Sequence, residues 1–187
     1  VCPNGGFMNY PRNEPCGLAP MSAACVGTHC DKRSYAHKLW RVARQGVRAA
    51  VFDLARLPSD IVLIHPDMAD HFVRSGVPRH RLHAVRNPVE PLPGPPAEAA
   101  ANGSVFFLGR LEVEKGVSDL AEAARLARVP LEIVGDGPIR AELEGGYPEV
   151  TFHGWRPREE IARLIGRARV LVMPTRYPEP FGLVAVE

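Results

Sequence analysis

From Ser104 onward, short apolar runs alternate with stretches of helical composition, and this alternation constrains the fold more than any other feature of the chain. The runs Ser104 to Leu108, Leu131 to Val134, Val150 to His153 and Val170 to Met173 are rich in Val, Ile, Leu and Phe. Short apolar runs without polar alternation suit strands covered on both faces. Between them lie Gly116 to Arg128, Pro138 to Glu144 and Arg158 to Ala168, each expected to be a helix, and a further helix is expected from Phe181. Strands alternating with helices predict an α/β fold with a parallel sheet. In such sheets ligands bind beyond the carboxyl ends of the strands. The segments that follow each run are therefore where chemistry is sought.

Upstream the pattern is weaker. Residues 1–30 are rich in Pro, Gly, Asn and Cys and show no period, which predicts loop. Asp31 is placed to cap a helix reaching about Arg56, with Tyr35, Leu39, Val42 and Gly46 on one face and Arg41, Arg44 and Arg48 on another. Ile61 to Ile64 predicts a buried strand, Pro66 to Ser75 a helix, and Leu82 to Val85 another strand. Asn87 to Ser104 carries Pro88, Pro91, Pro93, Pro95 and Pro96, and no regular element is expected there. The expected organisation is a first domain at residues 1–87, a linker at 88–103 and a second domain at 104–187. The chain begins at Val1 and stops inside an expected helix, so both domains are expected to be incomplete.

The net charge of +2 is too small to imply a nucleic-acid partner. It is unevenly spread: residues 1–90 hold 12 Lys and Arg against 7 Asp and Glu. The face with Arg41, Arg44 and Arg48 has two readings, contact with an anionic membrane surface or an ordinary solvated face. No apolar run is long enough to span a bilayer as a helix.

Four constellations carry candidate chemistry. In F-L-G-R-L-E-V-E-K-G, residues 107–116, Arg110 and Lys115 project beyond a strand end. An Arg fork and a mobile Lys suit a diphosphate, although either can instead pair with Glu112 or Glu114 on a solvated loop. In I-V-G-D-G-P, Gly135, Asp136 and Gly137 let backbone approach a ligand, or simply make a tight strand-to-helix turn. In F-H-G-W-R-P, Trp155 and Arg156 are placed to frame a base, the alternative for Trp155 being core packing and for His153 a structural role. In M-P-T-R-Y-P-E-P-F-G-L-V-A-V-E, Glu179 precedes Phe181, Gly182 and Leu183, whose amides at an expected helix start form an anion site. Glu187 follows Glu179 by eight residues, a span of up to about 12 Å along a helix. Two surface glutamates would show the same spacing.

Taken in order, G-R-L-x-x-x-K-G, V-G-D-G-P, F-x-G-W and E-P-F-G-L-V-A-V-E resemble glycosyltransferase family 4, retaining enzymes of the GT-B fold. The resemblance covers roughly residues 60–187, and V-R-N-P-V at residues 85–89 is similar to the family's crossing segment. It implies two Rossmann-like domains, both partial here. It also implies that a sugar moves from a nucleotide-diphosphate donor, of UDP or GDP type, to a glycan or lipid-linked glycan. Arg110 and Lys115 would hold the diphosphate, and Glu179 would contact the reacting sugar. Phe181, Gly182 and Leu183 would supply amides, Glu187 would hold the ribose, and Trp155 and Arg156 would lie near the base. Transfer in the family needs no metal ion. A cytoplasmic location, with peripheral contact on the inner membrane face, is the matching expectation. The family's glycine-rich loop and catalytic-site His have no counterpart here, so this chain alone is expected to be inactive. Two other classes remain open: a sugar phosphorylase or sugar-phosphate synthase on the same fold, and a non-catalytic Cys-rich module joined to a degenerate sugar-nucleotide domain.

Cys2, Cys16, Cys25 and Cys30 all fall in the first thirty residues, without a C-x-x-C pair. Four Cys in a segment with little apolar core can bind a structural zinc ion, with His29 able to replace one ligand. Reduced thiols and disulfides are the alternatives.

Overall fold

The computed structural model describes residues 2–52, 58–176, 179 and 182. The chain divides into two units, Val1–Pro88 and Val89–Arg176. Glu179, expected in the second domain from its place in the chain, falls in the first unit, and Gly182 falls in the second. Among the described residues no helix is long and apolar enough to cross a membrane.

The first unit opens with a two-stranded antiparallel ribbon, β1 (Met8–Asn9) and β2 (Glu14–Pro15), where irregular structure was expected. A single 3-10 turn, Tyr10–Arg12, joins the strands and ends at Asn13 in the left-handed region, φ 52°. The helix α1 (Ala23–Gly27) follows, capped by Ser22, whose hydroxyl accepts from the Cys25 amide at 3.1 Å. Helix α2 (Tyr35–Val51) starts three residues later than the sequence suggests. Ser34 caps it, accepting from the His37 amide, while Asp31 is 2% exposed and pairs with Arg41 at 3.1 Å. The buried face of α2 also differs from expectation. Tyr35 and Leu39 are exposed, and the buried position is Lys38, flanked by the half-buried Arg41, Val42, Gln45 and Gly46. Of the four residues at helical spacing, Val42 and Gly46 border the buried side while Tyr35 and Leu39 do not, because Lys38 fills its centre.

Beyond α2, β3 (Ile61–Leu63) pairs in parallel with β4 (Leu82–Ala84). The crossover carries a 3-10 turn at Pro66–Met68 and α3 (Ala69–Val73), so the expected helix over Pro66 to Ser75 is split.

The second unit is a four-stranded parallel sheet in the order β7-β6-β5-β8. Its strands are β5 (Ser104–Leu108), β6 (Leu131–Val134), β7 (Thr151–Gly154) and β8 (Ala168–Leu171). The helices α4 (Val117–Ala127), α5 (Arg140–Gly146) and α6 (Arg158–Ile165) make the crossovers. Phe106 and Phe107 are adjacent in β5 and therefore face opposite sides of the sheet. Phe107 packs with Leu131, Ile133, Leu120, Ala121, Ala124 and Leu143, under α4 and α5. Phe106 packs with Val134, Ala168, Ile161 and Leu164, under α6. Both faces are thus covered, which is why these strands read as continuous apolar runs.

Several boundaries differ from the sequence reading: α5 starts two residues late, α6 stops at Ile165 rather than Ala168, and β7 runs from Thr151 to Gly154. β8 begins at Ala168 rather than Val170, because Ala168 pairs with Ser104 before a register shift brings Val170 opposite Val105. The proline-rich segment contains one 3-10 turn, Ala99–Ala101, tied down when Arg169 donates to the Ala99 and Ala100 carbonyls and Asn102 donates to the Gly166 and Ala168 carbonyls. The helix expected from Phe181 lies outside the described residues.

Candidate functional site

The chain leaves β5 to build β6 and β7 on one side, then returns to place β8 on the other. The reversal puts a topological switch point at the carboxyl ends of β5 and β8, the position where open α/β sheets bind ligands. Arg110 and Lys115 lie on the loop that leaves β5 there. The Arg110 guanidinium is 77% exposed and pairs with Glu112 at 2.7 Å. The guanidinium is open to solvent although Glu112 is largely covered, so a phosphate can approach Arg110 from outside.

Gly116 explains why this loop is built as it is. It has φ 68° and is buried, and a Cβ on it would lie 2.2 Å from the Pro174 carbonyl oxygen. The β5 loop and the β8 exit therefore touch backbone to backbone. The Glu114 carbonyl accepts from the Arg176 amide at 2.9 Å and from the Thr175 hydroxyl at 3.4 Å. Arg176 also reaches the Asp119 carboxylate at 2.5 Å. Lys115 is thus held between a left-handed glycine and two hydrogen bonds to the carbonyl of the residue before it. Gly182, φ 66°, lies beside Met173 at the same strand exit.

The β6 loop is laced to the β5 loop in the same way. A Cβ on Gly135, φ 141°, would fall 1.9 Å from the Gly109 carbonyl oxygen, and one on Gly137 would fall 2.3 Å from that of Leu111. The Leu111 amide donates to the Asp136 carbonyl, and the Gly135 amide to the Gly154 carbonyl. These two glycines admit neighbouring loop backbone. Asp136 orders its own turn: Oδ1 accepts from the Gly137 amide at 2.7 Å, and Oδ2 accepts from Arg140 at 3.2 Å. Arg140 also donates to Glu144 and crosses beside Gly154, where a Cβ would meet its guanidinium at 3.0 Å. Hydrogen bonding to Glu144, and then to Asp136, raises the Arg140 pKa further above its ordinary value.

After β7, Trp155 is 75% exposed, so it is not core. Arg156 is exposed and lies 3.7 Å from Glu160. His153 is held by Glu132 at 2.8 Å, and Arg167 approaches the same carboxylate at 3.5 Å, which makes His153 a structural residue of the sheet edge. Glu179 is half-buried. Phe181, Leu183 and Glu187 lie outside the described residues. Arg140, Asp119 and Arg176 were missed by the sequence reading. Arg140 was legible from its four-residue spacing to both Asp136 and Glu144. The Asp119–Arg176 contact has no local signature.

The sulfurs of Cys2, Cys16 and Cys25, the other members of the expected four-cysteine zinc set, lie near Cys30 or Lys38. Among the described residues no three His, Cys, Asp or Glu are grouped to hold a metal ion. All four thiols are free, and the cation beside Cys25 and Cys30 is the Lys38 ammonium. Burial pushes the Cys30 thiol pKa above its usual value, and the opposing pull of Lys38 does not cancel it. Burial by itself would lower Lys38, but the hydrogen bond to Cys30 and the surrounding sulfurs hold its pKa above the usual lysine value. The basic face of α2 is also smaller than expected, since Arg41 turns inward to Asp31 and to the Asn4 carbonyl.

Residues 102–187 match the family model described as glycosyl transferases group 1. The alpha-D-kanosaminyltransferase of Streptomyces kanamyceticus is 37% identical over an alignment of 94 residues that covers 44% of this chain and 24% of the relative. The GDP-mannose-dependent alpha-mannosyltransferase of Corynebacterium glutamicum is 35% identical over 79 residues, 42% of this chain and 19% of the relative. Among solved structures, HepE of Anabaena in complex with UDP matches with a TM-score of 0.58 at 20% identity, over 83% of this chain and 48% of that one. The matched stretches thus span about a quarter or less of these curated relatives, and about half of the solved structure. The fold is of the GT-B glycosyltransferase type, α/β with parallel sheets.

Proposed function

We propose that this chain carries the donor-binding part of a retaining glycosyltransferase of family 4, acting on a nucleotide-diphosphate sugar. The observation that carries the reading is the loop at the β5–β8 switch point, where Arg110 and Lys115 stand on backbone locked by Gly116, Pro174 and Arg176. A preorganised loop holds its cations in place before the ligand arrives, which favours binding of a developing diphosphate charge. UDP and GDP are the candidate nucleotides, since HepE binds UDP and a matching mannosyltransferase is described as GDP-mannose-dependent.

In the proposed reaction Arg110 and Lys115 neutralise the leaving nucleotide diphosphate. The acceptor hydroxyl attacks from the face that the phosphate leaves, and the departing phosphate oxygen takes its proton, so configuration is retained. Glu179 contacts the sugar, Glu187 the ribose, and Phe181, Gly182 and Leu183 supply amides, roles that rest on the motif. Exposed Trp155 and neighbouring Arg156 border the base. The acceptor is a glycan or lipid-linked glycan. Transfer runs without a metal ion, and the enzyme works in the cytoplasm, at the inner membrane face when the acceptor is a lipid.

A thermal-shift panel of nucleotide sugars tests the reading. Wild-type protein should be stabilised by one UDP- or GDP-sugar, and Lys115→Ala should lose that shift. No stabilisation by any nucleotide diphosphate, or an equal shift in Lys115→Ala, would contradict it.

A further inference from the structure

Lys38 is 1% exposed and the largest fully buried side chain among the described residues. A buried ammonium ordinarily faces a carboxylate or several oxygen acceptors, because an unpaired charge in the interior is costly. Lys38 faces sulfur instead. Its Nζ lies 2.9 Å from Cys30 Sγ and 3.7 Å from Cys25 Sγ. The buried carboxylate of this unit, Asp31, is engaged elsewhere, with Arg41 and the Arg33 amide. Thiols are weak acceptors, so charge neutralisation does not account for this partner. Cys30 Sγ is held from a second side, where Asn4 Nδ2 donates to it at 3.1 Å and to the Cys30 carbonyl at 3.0 Å. An amine and a thiol are thus fixed in contact, away from bulk water, with Cys30 itself 4% exposed.

We propose that Cys30 and Lys38 form an oxidative cross-link, a sulfur–oxygen–nitrogen bridge between Sγ and Nζ, with dioxygen as the oxidant. The two atoms are too far apart for a direct bond and stand near the span of a single bridging oxygen, so the link closes with little side-chain movement. In the reaction the O–O bond of dioxygen breaks. One oxygen bridges sulfur and nitrogen, and the other leaves as water. Sulfur and nitrogen each give up two electrons, and the four together reduce dioxygen. The thiol proton and two ammonium protons depart, two in the water and one to solvent. Excess thiol reverses the step: four thiols become two disulfides, and the cysteine and the amine are restored with the bridging oxygen lost as water. The link ties the Cys-rich segment to α2, and it leaves Cys25, the more distant sulfur at 3.7 Å from Nζ, as a free thiol.

The test compares protein purified in air with protein kept anaerobic in excess thiol. The aerobic protein should be heavier by one oxygen atom less two hydrogens, and dithiothreitol should remove the difference. After alkylation and trypsin, residues 13–32 and 34–41 should be found joined, because a modified Lys38 is not cleaved. Cys16, Cys25 and Cys30 share one tryptic peptide. A disulfide among them therefore stays within that peptide and loses two hydrogens without gaining oxygen. Cys25→Ser should keep the joined pair and Cys30→Ser should abolish it. Release of unmodified residues 34–38 from aerobic protein, a disulfide in place of the joined pair, or oxygen carried on Cys30 alone would overturn the proposal. The peptide map of the wild-type protein reads the link directly, whether or not a variant folds.

Discussion

Replacing Gly116 by alanine should unfold the corner on which the candidate site is built. The backbone there has φ 68°, and the new Cβ would meet the Pro174 carbonyl oxygen at 2.2 Å. A left-handed conformation costs a residue with a Cβ about 1–2 kcal/mol. Relieving the clash requires the β5 loop and the β8 exit to part by about an ångström. That parting weakens the hydrogen bonds from the Arg176 amide and the Thr175 hydroxyl to the Glu114 carbonyl, each worth about 0.5–1.5 kcal/mol. The sum is about 2–5 kcal/mol. Amide hydrogen exchange on the core peptides of β5 and β6, followed by mass spectrometry, measures it as lost global protection. Gly145→Ala is the matched control, since it lies in α5 with nothing within 4 Å of the added Cβ and no positive φ. It should leave stability unchanged or raise it by up to about 1 kcal/mol. If Gly116→Ala and Gly145→Ala protect β5 equally, the claim that backbone contact sets the loop is wrong.

Phe106→Ala removes a side chain with no exposure under α6 and should cost about 3–5 kcal/mol by denaturant titration; a loss under 1 kcal/mol would deny Phe106 its core role. Arg140→Met should free Asp136 and quicken exchange at the Gly137 amide while leaving the sheet amides protected, and an unchanged Gly137 rate would show that Asp136 needs no such brace. His71 stacks on Phe7 at a centroid distance of 4.1 Å, and burial, aided by Arg74, lowers its pKa. The unfolded chain therefore takes up the proton first, so stability of the first unit should fall as pH drops below the ordinary histidine value of about 6.5 and level off below the folded value. His71→Gln should flatten that slope in urea melts at successive pH values, and an unaltered slope assigns it to other groups.

The second unit was legible in the sequence because both sheet faces are covered, and covered strands leave an unbroken apolar signal. Phe106, Phe107, Ile133 and Val134 carry it. The first unit was less legible because its core is partly polar. Lys38 occupies the inward position of α2, so a search for apolar periodicity selected Tyr35 and Leu39, which are exposed. Asp31 has the composition of a helix cap but is drawn into an ion pair with Arg41, and Ser34 takes the cap. In the candidate site, the positions of Arg110, Lys115 and the glycines followed from the strand ends. The reason for the glycines did not. Gly116, Gly135 and Gly137 are demanded by carbonyls of other loops, Pro174, Gly109 and Leu111, which are brought close only by the sheet order.

The central claim is that the β5 loop grips a nucleotide diphosphate through Lys115 and Arg110, and calorimetric titration of UDP-sugar and GDP-sugar tests it most directly. A hydrogen bond between charged groups is worth about 1.5–3 kcal/mol. Lys115→Ala should therefore weaken binding of the preferred donor about 10- to 100-fold, while the nucleoside monophosphate binds both proteins alike. Equal donor affinity in wild type and Lys115→Ala would contradict the account.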